Sequence, residues 1–132
     1  VSVQFSTTAR NARLDAITST VGNAGLLRIY TGSAPADCGT AASGTLLAEL
    51  TCGSPFAGAA SSGVLTVTNP GGVSASNTGT AGYYRVYKSD GTTCVAQGTV
   101  GTSGADLNLN TTSILTGGTV TVTAWSWTEG GA

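Results

Sequence analysis

Few residues in this 132-residue chain could do chemistry. Histidine is absent. That removes the usual general base, the Ser-His-Asp arrangement and the commonest metal ligand. Six acidic residues are scattered along the chain, and the sequence alone does not place two of them together as a glycosidase pair would require. Cys38, Cys52 and Cys94 form no Cys-x-x-Cys, so a structural zinc site is not indicated. Asp106-x-Asn108-x-Asn110 resembles the start of a calcium loop, but Thr111 stands where Gly is needed and Gly117 where a bidentate Glu is needed. A strand with alternating faces accounts for it better. Asn110-Thr111-Thr112 fits the glycosylation pattern, which means little without a secretory route. Trp125 and Trp127 share one face of a predicted terminal strand. They could stack on sugar rings, but filling a core or a subunit interface is the stronger reading, and Tyr83 and Tyr87 carry the same ambiguity. No catalytic residue, cofactor or metal is expected, and the chain reads as a non-enzyme.

The composition says what kind of body would carry such residues. Charged residues are 8% of the chain, glycines number 20, and Ser and Thr together exceed a quarter. An apolar fraction of 40% argues against disorder. Abundant β-branched Thr favours an all-β domain with many turns, and the length suits one domain. A net charge of −1 leaves no basic patch for nucleic acid. A nearly neutral surface suits contact with another protein, and a generic β-domain surface fits equally well. No signal peptide and no membrane span is read. An odd cysteine count makes assembly in a reducing cytosol the simpler expectation, with one bridge among the three cysteines left open.

The elements follow from pattern. Val1, Val3 and Phe5 alternate with Ser2 and Gln4 in a short strand or arm. Ser6 or Thr7 can cap a helix over roughly residues 7–20, with Ala9, Ala12, Ala16, Leu14, Ile17 and Val21 as its apolar stripe and Gly22 as its stop. Arg10 and Arg13 lie on it, as a solvated face or as part of a docking helix. Tyr-Tyr-Arg-Val-Tyr (83–87) and Cys94–Val100 flank Ser89-Asp90-Gly91, a favoured turn, and predict a hairpin. Leu27-Arg28-Ile29-Tyr30 echoes Tyr84-Arg85-Val86-Tyr87, and a Cys follows each seven or eight residues later. Two similar hairpins framing one sandwich are expected. Asn69-Pro70-Gly71-Gly72 is a turn. Val73–Ala81 reads as an edge strand, and Leu107 and Leu109 point inward. In the last strand Val120, Val122 and Ala124 make one face, and Thr119, Thr121, Thr123, Trp125 and Trp127 the other. The uncharged Gly53–Gly63 loop, with Phe56 expected exposed, has the look of an interaction loop. The sum is a mainly β, single-domain β-sandwich or jelly roll of about eight antiparallel strands. An N-terminal arm and helix (1–22) precede the sandwich (23–132).

The run Val3-Gln4-Phe5-Ser6-Thr7-Thr8-Ala9-Arg10-Asn11-Ala12-Arg13-Leu14-Asp15-Ala16-Ile17 resembles the start of a family of small proteins of tailed bacteriophages and prophages. Gly98–Leu107 and Thr119–Ala124 resemble the same family, while Gly53–Ala81 gives no match. These motifs carry no catalytic signature. The resemblance implies a virion structural protein, of the capsid decoration (cement) type with a jelly-roll fold. Such a protein would bind the major capsid protein on the outside of the virion after assembly in the host bacterial cytoplasm, as a homo-oligomer, without nucleic acid or membrane. On exposure logic, Phe5, Arg10, Arg13 and the Phe56 loop would touch the capsid, and Trp125 and Trp127 would form the subunit interface. A tail-fibre or baseplate module that binds a host glycan is the alternative. It would expose aromatics beside polar groups, whereas a cement protein would bury them.

Overall fold

The Ser6 hydroxyl accepts the Ala9 N–H at 3.1 Å and opens a helix, α1, over Thr7–Val21. Gly22, at φ +72°, closes it by donating to the Thr18 carbonyl. Both caps lie where local sequence rules put them. The computed structural model describes residues 3–129, so the readings placed on Val1, Ser2 and 130–132 lie outside it. The buried side of α1 is narrower than the expected stripe. Leu14 and Val21 are buried and Ile17 is partly so, while Ala12 and Ala16 face solvent. Polar groups complete the docking: Asp15 accepts the Ala60 N–H at 2.7 Å and Asn11 accepts the Gly63 N–H at 2.9 Å. The helix therefore packs on its own domain.

Among the described residues ten strands follow: β1 Leu26–Thr31, β2 Leu46–Thr51, β3 Val64–Thr66, β4 Val73–Ser74, β5 Gly79–Tyr87, β6 Cys94–Gly101, β7 Leu107–Leu109, β8 Ser113–Ile114, β9 Thr119–Val120 and β10 Val122–Thr128. The protein is mainly β, with a curled sheet in the order β2-β1-β5-β6-β7-β10-β3, β8 added on β5, and a separate β4–β9 ribbon. Two expectations change here. Residues 73–81 are not one edge strand, because β4 leaves to pair with β9 before β5 begins. The strands are not all antiparallel either, since β6 and β7 run parallel through Val100↔Leu107 and Gly101↔Asn108. Parallel pairs ordinarily need a long crossover; an overlap of only two residues lets the short 102–106 loop suffice.

The two echoing runs belong to two antiparallel hairpins, β1–β2 and β5–β6, and the structure sets those hairpins side by side. Leu27, Arg28, Ile29 and Tyr30 pair antiparallel with Val86, Arg85, Tyr84 and Tyr83. Ile29, Leu27, Tyr84 and Val86 point into one hydrophobic cluster that runs from Leu14 on α1 to Trp125 on β10. Phe56, expected at the surface, is fully buried in it. Its ring lies 5.3 Å from Trp125 edge to face, and 5.8 Å from Trp127, so aromatic rings from β10 cover it.

Trp125 is buried as well, and the expected face assignment of the last strand fails for a specific reason. The register steps from Val122↔Leu109 to Ala124↔Asn108, so Thr123 is an extra residue. A bulge shifts the period-two alternation by one, which puts Val120, Val122 and Trp125 all inside.

Gly82 marks a second irregularity, where pairing jumps from Tyr30↔Tyr83 to Thr31↔Ala81. A Cβ on Gly82 would collide with the Gly32 carbonyl. Gly82→Ala is therefore expected to destabilise the fold by about 1–3 kcal/mol through backbone displacement. A urea titration checks this, and a change below about 0.5 kcal/mol, the range of an ordinary surface substitution, would refute the close approach.

Candidate functional site

The outward face of the β2-β1-β5-β6 sheet carries a cluster of polar and aromatic side chains. Register places Glu49, Arg28, Arg85 and Gln97 in one row across the four strands. Arg28 Nε donates to Glu49 at 2.7 Å, and its guanidinium lies 4.7 Å above the Tyr87 ring. Tyr30 and Tyr83 stack at 5.1 Å in the next row. Two like charges directly opposite would repel, but Arg28 turns to Glu49 and Arg85 turns the other way.

Arg85 is 2% exposed although no carboxylate touches it. Nε donates to Gln97 Oε1 at 3.0 Å and Nη1 to the Tyr87 hydroxyl at 3.3 Å. Nη2 donates to the carbonyls of Asp37 and Thr40 at 3.1 and 2.7 Å. The planar fork suits this many-acceptor arrangement. Those carbonyls belong to the 32–45 loop, which lies over the sheet and is tied down further by Tyr83 Oη donating to the Ser43 carbonyl at 2.6 Å and Gln97 Nε2 to the Pro35 carbonyl at 2.8 Å. A Cys38–Cys94 disulfide fastens the same loop to β6, and Cys52 is the free, buried cysteine. The one bridge that the sequence left open is thus Cys38–Cys94, and the odd cysteine is Cys52. Burial pushes the Cys52 thiol up to about 12, which leaves it without thiolate at neutral pH. The Tyr–Arg cluster is a clamp under a loop rather than a reactive cleft.

Every carboxylate side chain has a comparable task. Asp15 holds Ala60. Asp37 accepts from the Thr40 N–H at 2.9 Å, Asp106 from the Thr99 N–H at 3.0 Å, and Glu129 pairs with Arg13 at 3.0 Å. Glu49 pairs with Arg28, and Asp90 closes the β5–β6 hairpin by accepting the Thr92 and Thr93 N–H groups at 2.8 and 2.9 Å. Asp106, Asn108 and Asn110 do not converge on a cation. Asn108 accepts from Ala105, and Asn110 bonds to Thr119 and Thr121.

The backbone N–H of Thr93, that of Thr92 and the Thr93 hydroxyl pull the Asp90 carboxyl down from 3.8 to about 2. A depressed carboxylate pKa contributes stability that is present above the unfolded value and is lost as pH falls through the folded one. The hairpin turn is therefore expected to stay intact at pH 4 and to loosen as pH drops from about 4 to about 2. The Thr92 and Thr93 amide resonances should titrate with a midpoint near 2. A midpoint near 4 would show that those hydrogen bonds do not form.

The residues expected to meet a partner are not brought together. Phe56 and Trp125 are interior, and Trp127 is half-buried against Phe56. Arg10 donates to Thr7 and packs on the Gly63 backbone, where a Cβ would strike it. The 53–63 loop docks the chain's own helix through Ala60 and Gly63. Phe5 and Arg13 remain at the surface: the Arg13 guanidinium sits 4.8 Å from the Phe5 ring centroid while it pairs with Glu129. Sequence reasoning missed two features. Val3, at 72%, and Leu115, at 65%, are the most exposed large apolar residues among those described. Leu115 borders a shallow groove of about 230 Å³ lined by Thr111, Ser113, Ile114, Gly118, Thr119 and Val120. An unpaired apolar residue between two strands of two residues each was the only available signal. No protein-family model, curated protein or solved structure matches the chain.

Proposed function

We propose that the chain is a non-enzymatic structural protein of a bacteriophage virion, a capsid decoration (cement) protein that binds the lattice of the major capsid protein and stabilises the shell. In this reading the curled sheet and the β4–β9 ribbon form a sandwich of jelly-roll type. The observation that carries it is that all six carboxylates hold the chain's own backbone or arginines, on a chain of net charge −1 that is rich in Ser and Thr. Docking such a surface on another protein desolvates few charges, and many modest contacts on one shell reinforce each other. The resemblance of the two ends and the hairpin to phage proteins points the same way. Arg13, half exposed, is the basic residue of the expected set that stays accessible for the capsid. Assembly in the bacterial cytoplasm keeps thiols reduced, so the Cys38–Cys94 bridge would close once particles reach an oxidising medium.

The glycan-binding alternative calls for exposed aromatics beside polar groups. Tyr30, Tyr83, Tyr84, Tyr87, Phe56 and Trp125 are buried instead. Cryo-electron microscopy of the particle, with icosahedral averaging, tests the proposal. Density for this chain at capsid lattice positions supports it. Density confined to the tail overturns it and directs attention to host glycans.

A further inference from the structure

Two polar atoms in the aromatic part of the core lack partners. Tyr84 is 0% and Trp125 3% exposed. Neither the Tyr84 hydroxyl nor the Trp125 indole N–H has a hydrogen-bond partner among the described residues. Their rings meet edge to face at 5.6 Å. Buried polar groups are nearly always hydrogen-bonded, so two unmet ones side by side call for a third group.

The strand register brings a carboxylate to the same place. Tyr84 on β5 lies opposite Gly98 on β6, and Trp125 on β10 lies opposite Leu107, the residue after Asp106. A Cβ on Gly98 would stand 3.0 Å from Tyr84 Oη and 2.9 Å from Asp106 Oδ2. The hydroxyl and the carboxylate therefore approach one small space, and glycine leaves it free of a side chain. Thr99 uses two acceptor positions of Asp106, through its N–H and its hydroxyl at 3.0 Å each. A carboxylate offers about four. Burial pushes the Tyr84 phenol up to about 12; the Trp125 and Trp127 indoles oppose that shift and the Asp106 charge adds to it.

We infer that this space binds one water molecule, which accepts the Trp125 N–H, hydrogen-bonds the Tyr84 hydroxyl and donates to the Asp106 carboxylate. The types of the three groups select the occupant. An indole N–H only donates and an ionised carboxylate only accepts, so whatever lies between them must do both. The Asp106 charge disfavours an anion, and the indole N–H disfavours a cation. Three protein partners are the usual number for an internal water. Asp106 is exposed, which gives water a way in. Asp106 also ends the 102–106 connection between the parallel strands β6 and β7. The water thus ties that short crossover to β5 and β10, whatever the chain binds outside.

A high-resolution crystal structure of the unaltered chain tests the site. The expected result is density for one water within about 2.7–3.2 Å of both Trp125 Nε1 and Tyr84 Oη. Tyr84 Oη bonded directly to Trp125 Nε1 or to Asp106, with no water between, overturns the inference. Magnetic relaxation dispersion of the water oxygen gives a second measure in solution, because it registers long-lived bound water and ignores exchange of hydroxyl protons. Tyr84→Phe removes one partner atom and keeps the ring, so folding should persist, and circular dichroism checks this. The dispersion amplitude should fall by the contribution of one water molecule. An amplitude that Tyr84→Phe leaves unchanged also overturns the inference, and if that variant does not fold the crystal structure decides alone.

Discussion

Arg85→Ala is expected to lower unfolding free energy by about 3–5 kcal/mol, since buried acceptors left without a donor cost roughly 1–3 kcal/mol each. Four acceptors are involved: Gln97 Oε1, the Tyr87 hydroxyl and the carbonyls of Asp37 and Thr40. The two carbonyls lie on the 32–45 loop, so water can recover part of the loss only if that loop lifts from the sheet. Lifting it would also expose Tyr83, now 1% exposed, and Tyr30, now 7% exposed. The effect should thus be regional as well as global, with amide exchange accelerating first in residues 37–45 and at the β5–β6 pairing. Arg85→Lys keeps the charge but replaces a planar fork by a point donor, and should recover no more than about half of the loss. Denaturant titration of both variants provides the measure. A cost under about 1 kcal/mol for Arg85→Ala, or full rescue by Lys, would mean that the clamp contributes no more than an ordinary hydrogen bond.

The second large effect concerns the cysteines. The Cys38–Cys94 bridge closes a loop across a sequence separation of 56. Constraining the unfolded chain over that length contributes about 4 kcal/mol on the loop-entropy scale. The double variant Cys38→Ser/Cys94→Ser should lose that amount and still fold, because Arg85, Tyr83 and Gln97 hold the 32–45 loop without the bridge. Thiol counting checks the pairing directly. Native oxidised protein should react at no cysteine, since Cys52 is buried and raised to about 12. Denaturing it without reductant should reveal a single thiol, Cys52, and adding reductant should release Cys38 and Cys94. A different pairing, or a reactive Cys52 in the native state, would contradict the packing around β2 and β6. An unchanged denaturation midpoint in the double variant would place the bridge outside the stabilising structure.

These two effects share a feature: each joins segments far apart in sequence. What the sequence determined by itself was local. Ser6 and Gly22 bound α1 because capping depends on one residue and its neighbours three or four positions away. The Asp90-Gly91 turn and the inward leucines of β7 followed from turn chemistry and strict alternation. The mainly β character followed from composition. The echo between Leu27–Tyr30 and Tyr84–Tyr87 was visible as a pattern, as was the cysteine that follows each run. That the runs lie side by side, with those two cysteines bridged, required the antiparallel pairing of β1 and β5.

Tertiary structure alone decided the rest. Phe56 looked exposed because its neighbours are small and loop-like. It is buried because β10 brings two Trp rings to it from about seventy residues away. Trp125 faces inward because one extra residue at Thr123 shifts a period of two, and a bulge leaves no compositional trace. Pattern places Arg85 in a hairpin strand, and only the 32–45 loop, which covers it with carbonyls, makes it a buried arginine. Local rules fix which backbone shape each stretch adopts. Which surfaces cover one another is set by contacts between distant segments, and those determine which side chains remain outside to meet a partner.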